Sequence, residues 1–328
     1  MRDWDIYFTE EYGKIYELNG DGKLEIFKFQ SEKGGVQYSF LKREIPIKLG
    51  EKTYYDITTP YGYGGPLFFD YPDEESLDTL KKQFGKNFSE YCEREDIVSE
   101  FIRFHPIIRN HEFLRGIVDV IYNRHTICIE IVDEEKILEN LTSVCRNRIK
   151  KSVEAHIEVK LERNIENIYN LYIETMKRNG AESYYFFSKE FFQNTLDLLG
   201  DRAKIFSAYI DGEVISSMVI IHEGEYMHYH FIGSDARYRN LPVNNILIFE
   251  AAKWGAQNGK RYFHLGGGYL GDEDSLYQFK STFSKGEPYE FYIGKKIHNQ
   301  KIYKELAEER SRRGKIENSD FFPLYRAD

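Results

Sequence analysis

The chain has 328 residues, 41% of them hydrophobic and 30% charged, which is ordinary for a globular protein and long enough for two domains. Its formal net charge of −9 excludes a general attraction to nucleic acid, so any RNA contact needs a local basic patch. The three cysteines, Cys92, Cys128 and Cys145, are widely spaced, which favours buried thiols over a disulfide framework or a zinc site. With no signal-peptide pattern and no long apolar run, the sequence predicts a cytoplasmic protein.

The first 60 or so residues are predicted to form strands. The tetrapeptide Asn19-Gly20-Asp21-Gly22 is a strong turn signal between two of them. A Pro- and Gly-rich aromatic loop follows and carries Tyr61 and Tyr63. Such a loop either contacts a ligand from a rigid scaffold or is a demanding connection with packed tyrosines.

The next elements alternate between helix and strand. The pattern predicts a helix over 73–88, strands over 96–104 and 118–132, and one long amphipathic helix over 134–155. The outer face of the long helix is basic. Its cations are Arg146, Arg148, Lys150 and Lys151. A charge run on a helix is usually a solvated face, and the alternative here is a contact with phosphate. We place a domain boundary at this helix.

The second half begins with a helix over 165–178 that ends at Arg178, and an aromatic loop with Tyr184 and Tyr185 follows. Ser188 is expected to cap a further helix. A hairpin is predicted over 204–210 and 213–222, with its turn at Asp211-Gly212. A third strand over 225–233 then leads to a loop with Arg237 and Arg239, and to a helix that ends at Gly259.

Three consecutive glycines, Gly266, Gly267 and Gly268, end a short apolar strand that begins at Tyr262. Glycine is typical of positions where the backbone needs a positive φ or where another group comes close. An acidic loop follows the glycines. The sequence therefore predicts a strand that opens into a close-packed, irregular loop.

A short helix follows this loop, with Asp274 and Ser275 as candidate N-cap residues. Its apolar residues are expected to face the core; they are Leu276, Phe279 and Phe283. Lys280 lies at the edge of that apolar stripe. Its head is placed either to reach water, as most such lysines do, or to point into a cleft.

The segment YFHLGGG, the acidic loop and DSLYQFKSTFSKG together resemble the closing segment of the Fem family of peptidyltransferases. That resemblance implies two domains of the GCN5-related N-acetyltransferase (GNAT) fold, and transfer of an amino acid from aminoacyl-tRNA to a cell-wall precursor. It also implies that Phe279 and Lys280 match a Phe-Lys pair at the catalytic centre. The segment around Tyr61 and Tyr63 is similar to one in the first domain of Fem-like proteins, which favours a ligand-facing role for both.

The predicted fold is therefore α/β (α+β), with tandem GNAT-like domains that each have a mixed, mainly antiparallel sheet flanked by helices. The first domain is expected to span 1–150 and the second, catalytic domain 151–293. The segment 294–328 is basic in its first part and is expected to form a helix through Ile297, Ile302 and Leu306. By analogy with Fem-like proteins, it is expected to pack back on the first domain.

The loop from Arg239 to Asn244 indicates which acyl donor the protein uses. Ordinary GNAT enzymes hold the pyrophosphate of coenzyme A with a loop of the form Arg/Gln-x-x-Gly-x-Gly/Ala, whose backbone N–H groups cradle the phosphates. Here the first glycine position is Pro242, which has no N–H, and the second is Asn244. The pattern disfavours the usual coenzyme A site and favours aminoacyl-tRNA as donor.

Three histidines fall on the predicted strands of the second half: His228, His230 and His264. The sequence favours packed or hydrogen-bonded histidines over metal ligands, so no metal is predicted. His230 is kept as a candidate at the cleft, where a histidine can accept a proton.

The sequence thus predicts an N-acyltransferase that acts on an amine of a nucleotide-linked cell-wall or polysaccharide precursor, with aminoacyl-tRNA as donor and no further cofactor. Phe279 would position the donor, and Lys280 would stabilise the tetrahedral oxyanion. The remaining candidates are expected to hold substrate or phosphate: Tyr61, Tyr63, Arg178, Tyr184, Tyr185, His230, Arg237, Arg239, Gly266, Gly267 and Gly268. Two alternatives stay open, an acyl-CoA-dependent N-acetyltransferase acting on an amino sugar and a non-catalytic binding protein of the same fold.

Overall fold

The computed structural model describes residues 4–269 and 274–327, so most of the predicted acidic loop, at 270–273, lies outside the described residues. The polypeptide forms two compact units. The first unit comprises residues 7–123 and 290–328, and the second unit comprises residues 1–6 and 124–289. These units divide the chain at other positions than the domains expected at 1–150 and 151–293, and those domains stay a prediction.

The first unit is built on a mixed sheet in which most neighbouring strands are antiparallel. Its elements are α1 (Glu10–Leu18), β1 (Lys23–Ser31), β2 (Gly34–Glu44), β3 (Tyr55–Thr58), β4 (Leu67–Phe69), α2 (Glu74–Arg94), β5 (Ile97–Arg103), the start of β6 (Asp119–Glu130), β12 (Tyr289–Ile297) and α9 (Gln300–Arg312). The strand order is β1-β2-β3-β5-β12, with β4 on β2. Strands β3 and β5 run parallel, whereas β1–β2, β2–β3 and β5–β12 are antiparallel.

The predicted strand at the N-terminus is wrong, because residues 10–18 form helix α1. Thr9 is the N-cap and its hydroxyl accepts a hydrogen bond from the Tyr12 N–H, with Glu10 and Glu11 in the first turn. Tyr12, together with Ile15 and Tyr16 further along the helix, is buried. The aromatic and β-branched residues that suggested a strand are therefore the apolar face of a capped helix.

The second unit has a longer sheet with helices packed against it. Its elements are the rest of β6, α3 (Glu134–Asn140), α4 (Ser143–Glu154), β7 (Glu158–Glu162), α5 (Ile165–Arg178), α6 (Lys189–Leu199), β8 (Ala203–Ile210), β9 (Glu213–Glu223), β10 (Tyr226–Ser234), α7 (Val243–Gln257), β11 (Tyr262–Gly266) and α8 (Ser275–Ser281). The strand order is β6-β11-β10-β9-β8-β7. Strands β10 and β11 are parallel and the other pairs are antiparallel.

Two helices, α3 and α4, replace the single long helix expected over 134–155. Leu141 has extended backbone angles, and Thr142 caps α4 by accepting a hydrogen bond from the Cys145 N–H. The N–H and the hydroxyl of Thr142 both donate to the Thr282 carbonyl, at 3.1 and 2.8 Å. Leu138, Val144 and Val153 are exposed, so the apolar residues of this segment do not all face the core as one amphipathic helix would require.

Most of the other predicted elements are confirmed. Helix α5 has the predicted bounds, α6 begins after its Ser188 cap, and β8 and β9 form the predicted hairpin. Strand β7 was not foreseen, although its five residues, Glu-Val-Lys-Leu-Glu, alternate between charged and apolar. Ile297 belongs to β12, so the C-terminal helix begins only at Gln300. Within the part of the chain that the structure describes, no helix is both long and apolar enough to cross a membrane.

Candidate active site

A cavity of about 870 Å³ lies in the second unit, and α5, β10, α7 and α8 all contribute to its wall. Strand β10 carries a bulge, since its register against β9 shifts between Tyr229 and Phe231. Residues three apart on a regular strand face opposite sides of the sheet, but the bulge brings both Tyr229 and Ile232 to the cavity. Leu276 and Phe279 of α8 complete an apolar part of the wall.

The wall also carries basic side chains. Its cations are Arg148 and Lys151 of α4, Arg178 of α5, and Arg239 in the loop before α7. Among the described residues, no ion pair engages any of these four side chains, and the single carboxylate of the wall, Asp235, is paired with Arg237 at 2.7 Å. A protein of net charge −9 therefore has a local site suited to a phosphate-bearing ligand.

The loop from Arg239 to Asn244 forms the edge of this cavity and the start of α7. Pro242 stands at the N-cap position and contributes no N–H, and its carbonyl accepts hydrogen bonds from Ser152 and from the Asn245 N–H. The amide oxygen of Asn244 lies 3.0 Å from the hydroxyls of both Ser216 and Ser234. The side chain at the position of the second glycine is thus held in place by two serines.

Lys280 is buried in α8, with only 6% of its surface exposed. Its Nζ donates a hydrogen bond to the Gly267 carbonyl at 2.8 Å and lies 5.2 Å from the centre of the Tyr229 ring. Since Tyr229 lines the cavity, the ammonium group sits directly behind the cavity wall. The sequence placed this side chain at the edge of an apolar stripe, and the structure buries it more deeply.

Burial lowers the pKa of Lys280 from 10.5 to about 7. Asp274, the N-cap of α8, opposes this effect, and Arg124 adds to it. At neutral pH the amine is therefore divided between its charged and neutral forms. A lysine in this range can stabilise an anion when it is protonated and accept a proton when it is not.

The glycines Gly266, Gly267 and Gly268 lie near Lys280, and at Gly267 the surroundings require glycine. A Cβ atom on Gly267 would approach the His125 carbonyl oxygen, a backbone atom, to 2.8 Å, whereas one on Gly268 would meet the side-chain carboxylate of Asp274 at 2.3 Å and displace it. The chain can thus run close to β6 at Gly267 because a side chain is missing there.

Arg124 of β6 is a functional candidate that the sequence reasoning missed. Its Nη1 donates hydrogen bonds to the carbonyls of Gly268 and Tyr269, at 2.7 and 2.9 Å. Strand β6 contains several other polar residues, so nothing in the sequence marked this arginine. Tyr229 was missed as well, because nothing in the sequence marks the bulge that turns it toward the cavity.

Phe279, Arg178 and Arg239 all line the cavity, as expected for residues that bind a substrate. Arg237 is exposed and paired with Asp235 and Glu213, outside the set of described cavity-lining residues. Tyr184 and Tyr185 are also outside the set of described cavity-lining residues. Tyr184 is 44% exposed, and the Tyr185 carbonyl accepts a hydrogen bond from Tyr172.

Tyr61 and Tyr63 belong to the first unit and pack among its own aromatic side chains. The Tyr12 hydroxyl donates to the Tyr61 carbonyl at 2.6 Å, and the ring of Tyr63 contacts those of Tyr7 and His105. Their role in binding a ligand stays a prediction.

His230 is buried beside Phe231, and burial followed by the neighbouring His228 lowers its pKa to about 3. The imidazole is therefore neutral at pH 7 and is a weak acceptor for the proton of an attacking amine. His228 is engaged with the Asp5 carboxylate at 2.6 Å. The expectation that no metal takes part stays a prediction.

Comparison with known proteins identifies the family of folds. A family model described as an acetyltransferase (GNAT) domain matches residues 141–281. No curated protein matches the chain at a significant level. The structure is similar to that of FemX, with 14% identity, a TM-score of 0.67, and coverage of 92% of this chain and 94% of that one.

Two further solved structures are similar over most of their length. One is the C-terminal domain of a putative lysylphosphatidylglycerol synthetase from Agrobacterium fabrum, with 11% identity, a TM-score of 0.52, and 90% and 92% of the two chains covered. The other is a tandem GNAT protein from the clavulanic acid biosynthesis pathway, with 9% identity, a TM-score of 0.50, and 84% and 83% covered. The predicted Fem-like, tandem GNAT fold is therefore confirmed.

Proposed function

We propose that this chain, an acyltransferase of the GNAT fold, transfers an aminoacyl group from aminoacyl-tRNA to an amine of a cell-envelope precursor. The observation that carries the proposal is the pairing of two features of one cavity. Four cations without ion-pair partners among the described residues line it, and a buried lysine of lowered pKa lies behind its wall. The first feature suits a phosphate-bearing substrate, and the second suits a reaction that develops negative charge.

The chemistry follows from these groups. The amine of the acceptor attacks the ester carbonyl of the donor and forms a C–N bond, so that the carbonyl oxygen becomes an oxyanion. Protonated Lys280 stabilises this oxyanion. The intermediate then expels the ribose hydroxyl of the tRNA, which takes up a proton equivalent to the one that the amine loses. Phe279 holds the donor at the apolar part of the wall.

The loop before α7 supports tRNA over coenzyme A as donor. Pro242 gives no N–H where the usual phosphate loop needs one, and the Asn244 side chain is fixed by two serines where that loop has glycine. The pyrophosphate of coenzyme A thus fits poorly at this loop. The cations of α4, Arg148 and Lys151, line the same cavity and add positive charge that a chain of several phosphates could contact.

An acyl-CoA-dependent N-acetyltransferase acting on an amino sugar is the second candidate. The match of residues 141–281 to an acetyltransferase family model favours it. The two candidates differ in the donor, and both place the acyl carbonyl near Lys280. A cytoplasmic location suits either donor, and the three free cysteines, Cys92, Cys128 and Cys145, fit a reducing compartment.

The acceptor in this proposal is a nucleotide-linked precursor such as a UDP-muramyl peptide or a UDP-amino sugar. Arg178 at the cavity is placed to meet a phosphate or carboxylate. Tyr61, Tyr63, Tyr184 and Tyr185 are further predicted contacts, because aromatic rings pack well on sugars.

Thermal denaturation with candidate ligands distinguishes the two donors. A ligand at 100 times its dissociation constant stabilises the folded state by about 2.7 kcal/mol, which a melting curve resolves. We expect aminoacyl-tRNA and a UDP-muramyl peptide to raise the Tm, and acetyl-CoA to leave it unchanged. A rise with acetyl-CoA alone would overturn the proposed donor and favour the acetyltransferase.

A further inference from the structure

Two cations bind three successive carbonyl groups of the segment Gly267–Tyr269, called the glycine segment below. Lys280 donates to the Gly267 carbonyl at 2.8 Å, and Arg124 donates to the carbonyls of Gly268 and Tyr269 at 2.7 and 2.9 Å. Hydrogen bonds from charged donors are about twice as strong as neutral ones. The path of this segment is therefore set by Arg124 on one side and by Lys280 on the other.

The stem of Arg124 also supports the segment by packing. A Cβ atom on Gly267 would lie 3.1 Å from Arg124 Cδ and 2.8 Å from the His125 carbonyl oxygen. The backbone of Gly267 thus rests directly on β6. Both hydrogen bonds come from one nitrogen, Nη1, and the shorter side chain of a lysine would not bring its ammonium group to the same place.

The glycine segment is connected to the cavity in two ways. Its Gly267 carbonyl accepts a hydrogen bond from Lys280, which lies behind the wall, and Tyr269 is itself a lining residue. A displacement of the segment would therefore move the hydrogen-bond acceptor of Lys280 and one part of the wall together. Misplacement of a catalytic group by 1 Å can cost about 10²-fold in rate.

We infer that Arg124 is a positioning residue for acyl transfer, which fixes the Gly267–Tyr269 segment and through it the head of Lys280. This inference rests on the proposed role of Lys280 in the reaction. Arg124 is not among the described residues that line the cavity. It acts through its hydrogen bonds to the backbone of this segment.

The charge of Arg124 has a second, measurable consequence. The charged groups that influence Lys280 are Asp274 at the start of α8, which favours its protonation, and Arg124 on β6, which disfavours it; the ring of Tyr229 on β10 lies on a further side. Removal of the arginine charge is expected to raise the pKa of Lys280 above its value of about 7.

Three variants separate charge from geometry. Arg124→Met keeps the apolar stem but loses the charge and both hydrogen bonds. Arg124→Lys keeps the charge but loses the pair of hydrogen bonds to the Gly268 and Tyr269 carbonyls. Arg261→Met is the matched control, because Arg261 belongs to the same unit and forms an exposed ion pair with Glu225. Circular dichroism of each variant verifies that it is folded.

Two measurements need no substrate, so they are independent of the proposed function. The first is the titration of the Lys280 signal in the NMR spectrum of ¹³C-lysine-labelled protein, assigned with Lys280→Arg. The second is the rate of chymotryptic cleavage after Tyr269, which is 63% exposed, relative to cleavage after Tyr184, which is 44% exposed. We expect Arg124→Met to raise the titration midpoint and to accelerate cleavage after Tyr269, Arg124→Lys to accelerate cleavage only, and Arg261→Met to do neither.

The inference is overturned if Arg124→Met leaves both the midpoint and the cleavage ratio at their wild-type values. If Arg124→Met does not fold, unchanged cleavage in Arg124→Lys overturns it instead. With an active donor and acceptor in hand, kcat is expected to fall by about 10²-fold in Arg124→Met with little change in KM. A failure to find substrates would count against the proposed function. It would not affect the test of Arg124, because the Lys280 titration and the cleavage after Tyr269 need no substrate.

Discussion

Lys280 shows how one residue can be costly for folding and useful for the reaction. The charged form of a buried lysine is poorly solvated, which is the cause of its pKa of about 7. Among the described residues, its Nζ donates one hydrogen bond, to the Gly267 carbonyl. A developing oxyanion would offer a stronger partner, so the cost in the free protein becomes an advantage in the transition state.

The burial of Lys280 predicts a dependence of stability on pH. Because its pKa is lower in the folded protein than the ordinary value of 10.5, the unfolded state binds more protons between about pH 7 and 10. The free energy of unfolding of the wild type should therefore rise with pH across this range, by at most about 1.4 kcal/mol per pH unit from this group. Relative to Lys280→Met, the wild type should be least stable below pH 7.

Urea denaturation of both proteins from pH 6 to 10 measures this difference. Lys285→Met is a suitable control, since Lys285 is exposed and its Nζ donates to the Glu139 carbonyl. A difference between the wild type and Lys280→Met that does not change with pH would contradict the burial of a titrating ammonium group.

The sequence singled out some of the residues that line the cavity, but not their surroundings. The Phe279-Lys280 pair was found through its neighbouring motif, and Arg178 and Arg239 do line the cavity. The burial of the Lys280 head depends on Tyr229 and Gly267, which lie far away in the sequence. Periodicity within one seven-residue helix contains no information about them.

At the scale of elements, the break between α3 and α4 depends on Thr142. Its hydroxyl accepts from the Cys145 N–H and donates to the Thr282 carbonyl, which follows α8. This residue thus caps one helix and attaches it to the end of the helix that carries Lys280. A periodicity count cannot reveal such a break, because the apolar positions on both sides still fit one continuous helix.

Loss of this hydroxyl should destabilise the protein. We expect Thr142→Ala to lower the free energy of unfolding by about 1–2 kcal/mol, the usual cost of a lost N-cap. Thr142→Ser, which keeps the hydroxyl, should lose much less. Equal losses in the two variants, measured by urea denaturation, would show that the hydroxyl has no capping role.

Helix α1 and strand β7 mark the limits of reading elements from local pattern. In α1, Tyr12, Ile15 and Tyr16, which favour strands, lie on one face of a helix whose Thr9 cap could have been recognised. In β7, charged residues alternate with Val159 and Leu161, but the segment has only five residues, is largely exposed and pairs with β8. Tertiary packing decides both cases.

At the scale of the whole molecule, the charge distribution matters more than the net charge. An acidic protein can still bind a polyanion where cations cluster locally, as four of them do at the cavity of the second unit. The fold class could be predicted because the order of helices and strands and the glycine-lysine segment agree with one architecture. The cation cluster could not, because α4, α5 and the loop before α7 meet only in the folded unit.

This cluster predicts a salt-dependent affinity for aminoacyl-tRNA. Removal of two phosphate contacts in Arg148→Gln/Lys151→Gln should weaken binding and reduce the slope of log K against log salt concentration by about 0.7 per contact. Lys150→Gln is the matched control on the same helix, since Lys150 is 76% exposed and lies 3.8 Å from Glu154. Filter binding at several salt concentrations provides the slopes. A slope that is the same in all three proteins would exclude the cavity from tRNA binding.

The central claim is that this acyltransferase uses Lys280 to transfer an aminoacyl group from tRNA to an envelope precursor. Its most direct test is single-turnover transfer from radiolabelled aminoacyl-tRNA to a UDP-muramyl peptide by the wild type and by Lys280→Met. The predicted result is product formation that slows by about 10²–10³-fold in the variant, with the affinity for the donor unchanged. A variant that transfers at the wild-type rate would contradict the claim.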